Sequence, residues 1–224
     1  MRKIYFLTIG LFGSIVSFAQ FSFGVQATGN LADARFSVTE GVSPDKKMKV
    51  FPGGGLIVNY AVNKNFSLRS GVNYLQQGVN LSLFTPSEGG DSPSEQLNSK
   101  VNLHYVQVPV TAMYTSGGKR LQFQGGAGGF VSYGMSGKIK STIEYSSPFG
   151  HEVIRDNQDA FKTDADGNKG FKRWDAGVTA FAGVQMGKWF SHVGYQLSLT
   201  NLSQDATYSW RNRGLQLSVG YFLR

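Results

Sequence analysis

The sequence contains no cysteine, so neither a disulfide framework nor a thiolate metal site can form. Beyond its first 19 residues it has no apolar run of the ~20 residues that a transmembrane helix requires. Charged residues make up only 16% of the chain, and the basic ones are scattered rather than grouped into a patch. We therefore expect no nucleic-acid partner, although the formal net charge is +8.

The N-terminus has the three parts of a secretory signal. Arg2 and Lys3 precede an apolar stretch over 4–18, and small residues stand at Ser17 and Ala19. This pattern predicts a signal peptide over 1–19, cleaved between Ala19 and Gln20, and a single exported domain over 20–224. A retained anchor helix is the alternative interpretation, which the short apolar core disfavours.

The exported part is rich in glycine and aromatic residues, arranged in short segments whose apolar and polar residues alternate. This period of two predicts eight strands, at 21–31, 54–62, 66–81, 101–114, 120–139, 172–186, 189–202 and 213–223. In the last of these, for example, Leu215, Leu217 and Val219 alternate with Gln216 and Ser218. Each strand therefore has one apolar face and one polar face.

The polar faces are small and mostly uncharged, which is typical of side chains packed in a narrow lumen rather than facing water. Aromatic residues lie near the strand ends, where a membrane barrel places its interface rings. These are Tyr60, Tyr74, Tyr114, Tyr133, Trp174, Trp189, Tyr195 and Tyr221. The predicted fold is all-β, an eight-stranded antiparallel up-and-down transmembrane β-barrel. A soluble lipocalin-like carrier, with the apolar faces inside, is the alternative.

The connections alternate in length. Short turns are predicted at 63–65, 115–119 and 187–188, and long loops at 32–51, 82–100, 140–171 and 203–211. Short periplasmic turns and long outer loops are the outer-membrane pattern. We expect an outer-membrane location with periplasmic termini, extracellular long loops, and contacts of the scattered basic residues with anionic lipid and lipopolysaccharide.

One acidic residue, Asp175, interrupts a predicted strand. An unpaired carboxylate there would be costly, so we expect it to face the lumen beside Arg69, Arg211 or Arg213. A structural charge network is the expected role.

Several segments resemble the PorT-like outer-membrane barrel family of Bacteroidetes. They are Gly71-Val72-Asn73-Tyr74, 103–110 (Leu-His-Tyr-Val-Gln-Val-Pro-Val), Asp175-Ala176-Gly177, 194–202 and Arg211-Asn212-Arg213 with the strand after it. The resemblance covers nearly the whole exported chain and implies an outer-membrane barrel. Members range from barrels without an assigned role to one linked to type IX secretion. The chain departs from the family at Gln107, where a Glu is usual, and continues past Phe222 to Leu223-Arg224.

Pro109 cannot donate to a strand ladder, and the apolar alternation changes phase between Tyr105 and Val106. Both facts predict a β-bulge near Tyr105, with Pro109 beside it.

No catalytic or cofactor motif emerges from the residues. His104, His151 and His192 lack zinc-site spacing, and Ser191 and His192 are neighbours on a strand, so they point to opposite faces. The segment 164–168 has carboxylates two apart, but no closing acidic ligand follows at the calcium-loop distance. We expect no metal, no cofactor and no enzyme activity.

The sequence thus predicts a non-enzymatic outer-membrane barrel with a side-chain-filled lumen. It would act through its outward loops, in envelope structure or in binding a ligand or an envelope protein. The alternative is an accessory subunit of a secretion or assembly machine. A lipid-modifying enzyme and a soluble carrier are less favoured.

Overall fold

The computed structural model describes residues 20–38, 45–87, 93–118, 120–147, 150–163, 170–205 and 208–223. The signal segment with Ala19, the calcium-like turn at 164–168 and the terminal Arg224 lie outside these ranges. Within them, no helix is both long and apolar enough to cross a membrane.

Ten strands make up the described chain. They are β1 (Phe21–Val38), β2 (Asp45–Lys47), β3 (Lys49–Ala61), β4 (Phe66–Thr85), β5 (Ser94–Gly117), β6 (Gln122–Ser147), β7 (Gly150–Asp159), β8 (Trp174–Met186), β9 (Trp189–Ser198) and β10 (Tyr208–Phe222).

Eight of these strands form a closed antiparallel ring in the order β1, β3, β4, β5, β6, β8, β9, β10. The pairing of β4 with β5 completes one side, and Gly24 opposite Phe222 begins the β1–β10 ladder that closes the other. β2 and β7 lie outside the ring and pair with the far ends of β4 and β6. The eight-stranded up-and-down barrel predicted from the sequence is therefore confirmed.

The strands differ from the prediction mainly at the end of the barrel that carries the long loops, the long-loop end. β5 begins at Ser94 and β6 runs on to Ser147, so much of the predicted loops 82–100 and 140–171 is sheet. At the opposite end, the short-turn end, the connections are as short as predicted: Gly187 and Lys188 alone join β8 to β9.

Through most of the barrel the apolar face of each strand points outward. Val72 on β4, Val110 on β5 and Leu217 on β10 are each more than half exposed, while their neighbours Asn73, Thr111 and Gln216 face the lumen. This is the reverse of a soluble carrier. We call this outward apolar zone the belt.

Aromatic residues lie along both margins of the belt. At the short-turn end, rings pair across neighbouring strands, with centroids 5.0 Å apart for Phe21–Tyr60, 5.1 Å for Phe66–Tyr114 and 4.9 Å for Trp189–Tyr221. Towards the long-loop end Tyr133 and Trp174 meet edge-on at 5.0 Å, and Tyr74 and Tyr195 also face outward.

Above the belt, at the long-loop end, the pattern reverses. The interior there is apolar, and its buried side chains include Val79, Val101, Leu103, Tyr105, Phe161, Phe171, Leu202 and Trp210. The outward residues of the same strands include many polar ones, such as the exposed Lys100 and Lys140, although Phe84 on β4 is also exposed. This part of the molecule has the pattern of a water-surrounded protein.

The reversal explains the phase change that the sequence has beside Tyr105. Leu103, Tyr105 and Gln107 are all buried on the lumen side of β5. Alternate side chains of β5 therefore keep facing the lumen through this segment. A register shift relative to β6 does lie between His104 and Tyr105, but the additional residue is Met135 of β6. An irregularity near Tyr105 is therefore present as predicted, but its extra residue is on β6, and the phase change follows from the reversal of the surroundings rather than from a bulge.

Pro109 keeps a regular position opposite Phe130 of β6. On its other side the β4–β5 ladder is interrupted between the pairs Ser70–Val110 and Asn73–Gln107 without a change of register. The Ser70 hydroxyl donates to the Pro109 carbonyl at 2.8 Å. A side-chain hydrogen bond therefore links β4 and β5 at the position where Pro109 has no N–H to donate.

Candidate functional site

The lumen is closed by apolar side chains at both ends of the described barrel. Ile57, Phe190 and Phe222 cluster at the short-turn end. At the long-loop end Phe161, Phe171, Leu202 and Trp210 pack together, and Phe171 N–H donates to Ala160 O at 2.7 Å while Leu202 N–H donates to Trp210 O at 2.8 Å. Polar side chains fill the layer between these two clusters.

The polar layer consists largely of neutral hydrogen-bonded groups. Gln216 and Gln107 donate to Gln196 Oε1 at 2.7 and 3.3 Å, and Gln26 donates to Asn73 at 2.8 Å. Amide pairs of this kind satisfy buried polar atoms without adding charge. The two charged side chains that stand out in this layer are Asp175 and Arg69.

Asp175 faces the lumen, but no arginine accompanies it. Its carboxylate accepts from the Ser198 hydroxyl and, at 3.3 Å, from Asn212 Nδ2. Asn212 is oriented in turn by Trp210, whose Nε1–H donates to Asn212 Oδ1 at 3.1 Å. The expected network of Asp175 with Arg69, Arg211 and Arg213 is wrong.

The reason lies in which way each arginine faces and how far along its strand it stands. Arg213 is opposite Asp33 on the outward register and donates to its carboxylate from Nε at 2.7 Å. Arg211 is exposed and stands opposite Arg35, which is also exposed. Arg69 does face the lumen, but it is the fourth residue of β4 at the short-turn end, whereas Asp175 is the second residue of β8 at the other end.

We predict that Asp175→Ala destabilises the barrel by about 1–3 kcal/mol, because Ser198 and Asn212 would each lose their buried acceptor. Asp175→Asn should cost less, since an amide keeps one acceptor oxygen. Urea titration of the detergent-solubilised barrel measures both. The exposed Asp45 on β2 provides the control, because Asp45→Ala should leave the midpoint unchanged; equal effects at the two positions would contradict the assignment.

Arg69 is buried, with 6% of its surface exposed, and its guanidinium lies over three phenylalanine rings. The ring centroids are 5.6 Å away for Phe181, 4.9 Å for Phe190 and 5.6 Å for Phe222. Nη1 contacts His192 Nδ1 at 3.2 Å, and His192 Nε2 contacts Gln124 Oε1 at 2.7 Å. Arg69 thus stands in an aromatic and amide environment.

A second charged feature lies on the outward face above the belt. Lys47 stands opposite Asn80, Asn80 opposite Lys100, and Lys100 opposite Lys140. The three lysines are exposed and line a groove of about 640 Å³ with Asn80, Asn98 and Arg155. We call Lys47, Lys100 and Lys140 the lysine row.

Carboxylates near the lysine row include Glu144, which lines the same groove, and Asp159, which is engaged elsewhere. Asp159, at the end of β7, accepts from the backbone N–H of Phe161 at 3.0 Å, and this bond lowers the pKa of its carboxyl. Lys162 is 3.5 Å from it. In the described chain no ion pair neutralises a lysine of the row.

Neither the lysine row nor the phenylalanine rings around Arg69 were predicted from the sequence. The row had a detectable signal, because Lys100, Asn102 and His104 are polar residues on the register of β5 that carries apolar residues in the belt. No sequence signal marked the surroundings of Arg69, because its partners His192 and Phe222 are far away in sequence. Within the described residues, no group of three or more His, Asp or Glu side chains could hold a metal ion.

The sequence model of the family described as outer membrane protein beta-barrel domain matches residues 18–204. No curated protein matches the chain. Solved structures of similar fold include Ail of Yersinia pestis (13% identity, 89% of this chain and 99% of that one, TM-score 0.33). Others are Neisserial surface protein A (15%, 89% and 96%, 0.37) and OprG of Pseudomonas aeruginosa (12%, 91% and 95%, 0.46).

Proposed function

Because this chain belongs to the family of outer-membrane β-barrel domains, we propose that it is a non-enzymatic membrane barrel whose long-loop end binds anionic groups of the outer leaflet. The ligand class is the phosphorylated sugar region of lipopolysaccharide. The lysine row carries this proposal.

The two ends of the barrel support the proposed orientation. Outer-membrane barrels keep short turns in the periplasm and long connections outside. Gln20 and Leu223 lie at the short-turn end, with Leu223 N–H donating to Phe23 O at 2.7 Å. In this orientation both aromatic margins stand at the lipid headgroups and the extended ends of β4, β5 and β6 project outward.

The height of the lysine row matches the sugar region rather than the acyl chains. Asn80, at the centre of the row, is six residues beyond the belt-margin residue Tyr74 on β4. A rise of about 3.3 Å per residue and a tilt near 40° place it roughly 15 Å above that margin. The lysines point sideways there, towards neighbouring glycolipid molecules.

The spacing of the row suits an anion. Strands about 4.8 Å apart place Lys100 and Lys140 side by side and Lys47 two strands away. Like charges directly opposite each other destabilise a sheet. A bound phosphate would offset that repulsion, and a basic cluster near a membrane gains about 1 kcal/mol of binding per lysine.

We predict that the double variant Lys100→Gln/Lys140→Gln binds lipopolysaccharide about 10- to 30-fold more weakly than the parent, because two contacts of ~1 kcal/mol are removed. Titration of the detergent-solubilised protein with lipopolysaccharide measures this. The control variant Lys64→Gln/Lys188→Gln removes the same charge at the short-turn end and should bind like the parent.

Dephosphorylated lipopolysaccharide provides the second arm of this experiment. It should bind the parent as weakly as the phosphorylated form binds the double variant. Equal losses in the two variants, or undiminished binding of the dephosphorylated ligand, would overturn the proposal. The narrower resemblance to PorT-like barrels stays a prediction, and the lysine row does not depend on it.

A further inference from the structure

Arg69 is a buried cation without a counter-ion in the described part of the chain. The ion pairs formed there are Lys162–Asp159 and Arg213–Asp33, and neither reaches the lumen around Arg69. Burying an uncompensated charge is costly, so buried cations in proteins are normally paired. Arg69 therefore lacks its expected partner.

The groups that do contact Arg69 are neutral. The three phenylalanine rings cover the guanidinium through cation–π contacts, which leave its in-plane N–H groups free. Nη1 donates to His192 Nδ1, and His192 Nε2–H donates to Gln124 Oε1. A histidine that accepts at Nδ1 and donates at Nε2 is uncharged.

The remaining donors of Arg69 form one edge of the guanidinium. Nε and Nη2 are buried and have no hydrogen-bond partner. These two N–H groups are parallel, and they are the side-on edge that an arginine presents to both oxygens of a carboxylate. The unoccupied donors thus match a planar oxyanion more closely than a spherical ion.

Arg69 lines a cavity of about 80 Å³ in the barrel interior. The cavity is also lined by Asn73, Gln107, Thr111 and Gln216, all neutral side chains with hydrogen-bonding groups. Its volume suffices for a few water molecules or for one small oxyanion. The cluster of Ile57, Phe190 and Phe222 lies at the short-turn side of it.

We propose that this cavity binds a small monovalent carboxylate-type oxyanion, of the size of formate or acetate, on the Nε–Nη2 edge of Arg69. The anion supplies the missing counter-charge and stabilises the folded barrel. The site is separate from the lysine row and would exist whether or not that row binds lipopolysaccharide.

The test compares the melting midpoint of the full detergent-solubilised protein in sodium formate, sodium chloride and sodium gluconate at equal ionic strength. A ligand that binds only the folded state raises the midpoint, here by about 2–4 °C in formate relative to gluconate. Arg69→Gln should abolish the difference. Arg213→Gln, which removes an arginine from the outward register, should retain it.

A direct measurement keeps the test independent of whether Arg69→Gln folds. Saturation-transfer NMR with ¹³C-formate on the parent protein should detect bound formate that excess acetate displaces and gluconate does not. Equal midpoints in all three salts together with no saturation transfer would mean that water alone occupies the cavity. An equal stabilisation by chloride would overturn the assignment to an oxyanion.

Discussion

Gly128→Ala is expected to destabilise the barrel by about 3 kcal/mol or more, whereas Gly129→Ala is tolerated. A Cβ at Gly128 would collide with Val110 O and lie 2.6 Å from Thr111 Cα, both backbone atoms of the paired strand β5. Neither atom can move without breaking the β5–β6 ladder. At Gly129 the nearest atom is Gly177 O at 3.5 Å, an ordinary contact.

The two glycines form a matched pair, because they are adjacent on β6 and differ in the face they present. The folded fraction by heat-modifiable electrophoretic mobility and the urea midpoint both measure the effect. Gly129→Ala should stay within about 0.5 kcal/mol of the parent. Similar losses in both variants would mean that close approach of β5 and β6 at Gly128 does not limit stability.

Leu217→Arg should cost about 2–4 kcal/mol, because it places a charge at the middle of the belt. Leu217 is 56% exposed and lies on β10 midway between Arg213 and the margin residue Tyr221. Gln96→Arg makes a comparable change on the outward face of β5 above the belt, where the residue is exposed to water. That variant should be neutral.

Both variants are compared in lipid vesicles by urea titration, since detergent alone lacks a defined thickness. The Leu217→Arg substitution should also slow the folding of the barrel into the vesicles. Equal stability of the two arginine variants would show that the outward apolar face has no lipid around it.

The barrel itself could be predicted from the sequence because its signals are local. Alternation with period two, the Gly187-Lys188 turn and the short segment 63–65 each depend on neighbouring residues only. They gave eight strands whose short-turn ends lie within a few residues of the observed ones.

The long-loop end was less predictable, because the same alternation there has the opposite meaning. Val101, Leu103 and Tyr105 are apolar residues facing inward, while Val108 and Val110 on the same strand are apolar residues facing outward. A prediction that places all apolar residues of a strand on one face ends that strand at the point where the surroundings of the barrel change from lipid to water. The extension of β5 and β6 was missed for this reason, whereas β7 was missed because nearly all of its residues are exposed and give no alternation.

The partners of the charged residues could not be predicted, because they depend on the closed ring. Asp175 on β8 accepts a hydrogen bond from Asn212 on β10, which is 37 residues away in sequence. β9 lies between these two strands in the sheet. Arg69 meets His192, which is 123 residues away. No local pattern fixes how far along each strand such residues stand.

The most direct test of the membrane barrel uses single cysteines, which the natural chain lacks. Spin labels at Val110, Val178 and Leu217 in lipid vesicles should be accessible to oxygen and protected from a water-soluble nickel reagent. Labels at Gln96 and Lys140 should behave in the opposite way. Nickel access to the three belt positions equal to that at Gln96 and Lys140 would contradict a barrel that spans the membrane with this face towards lipid.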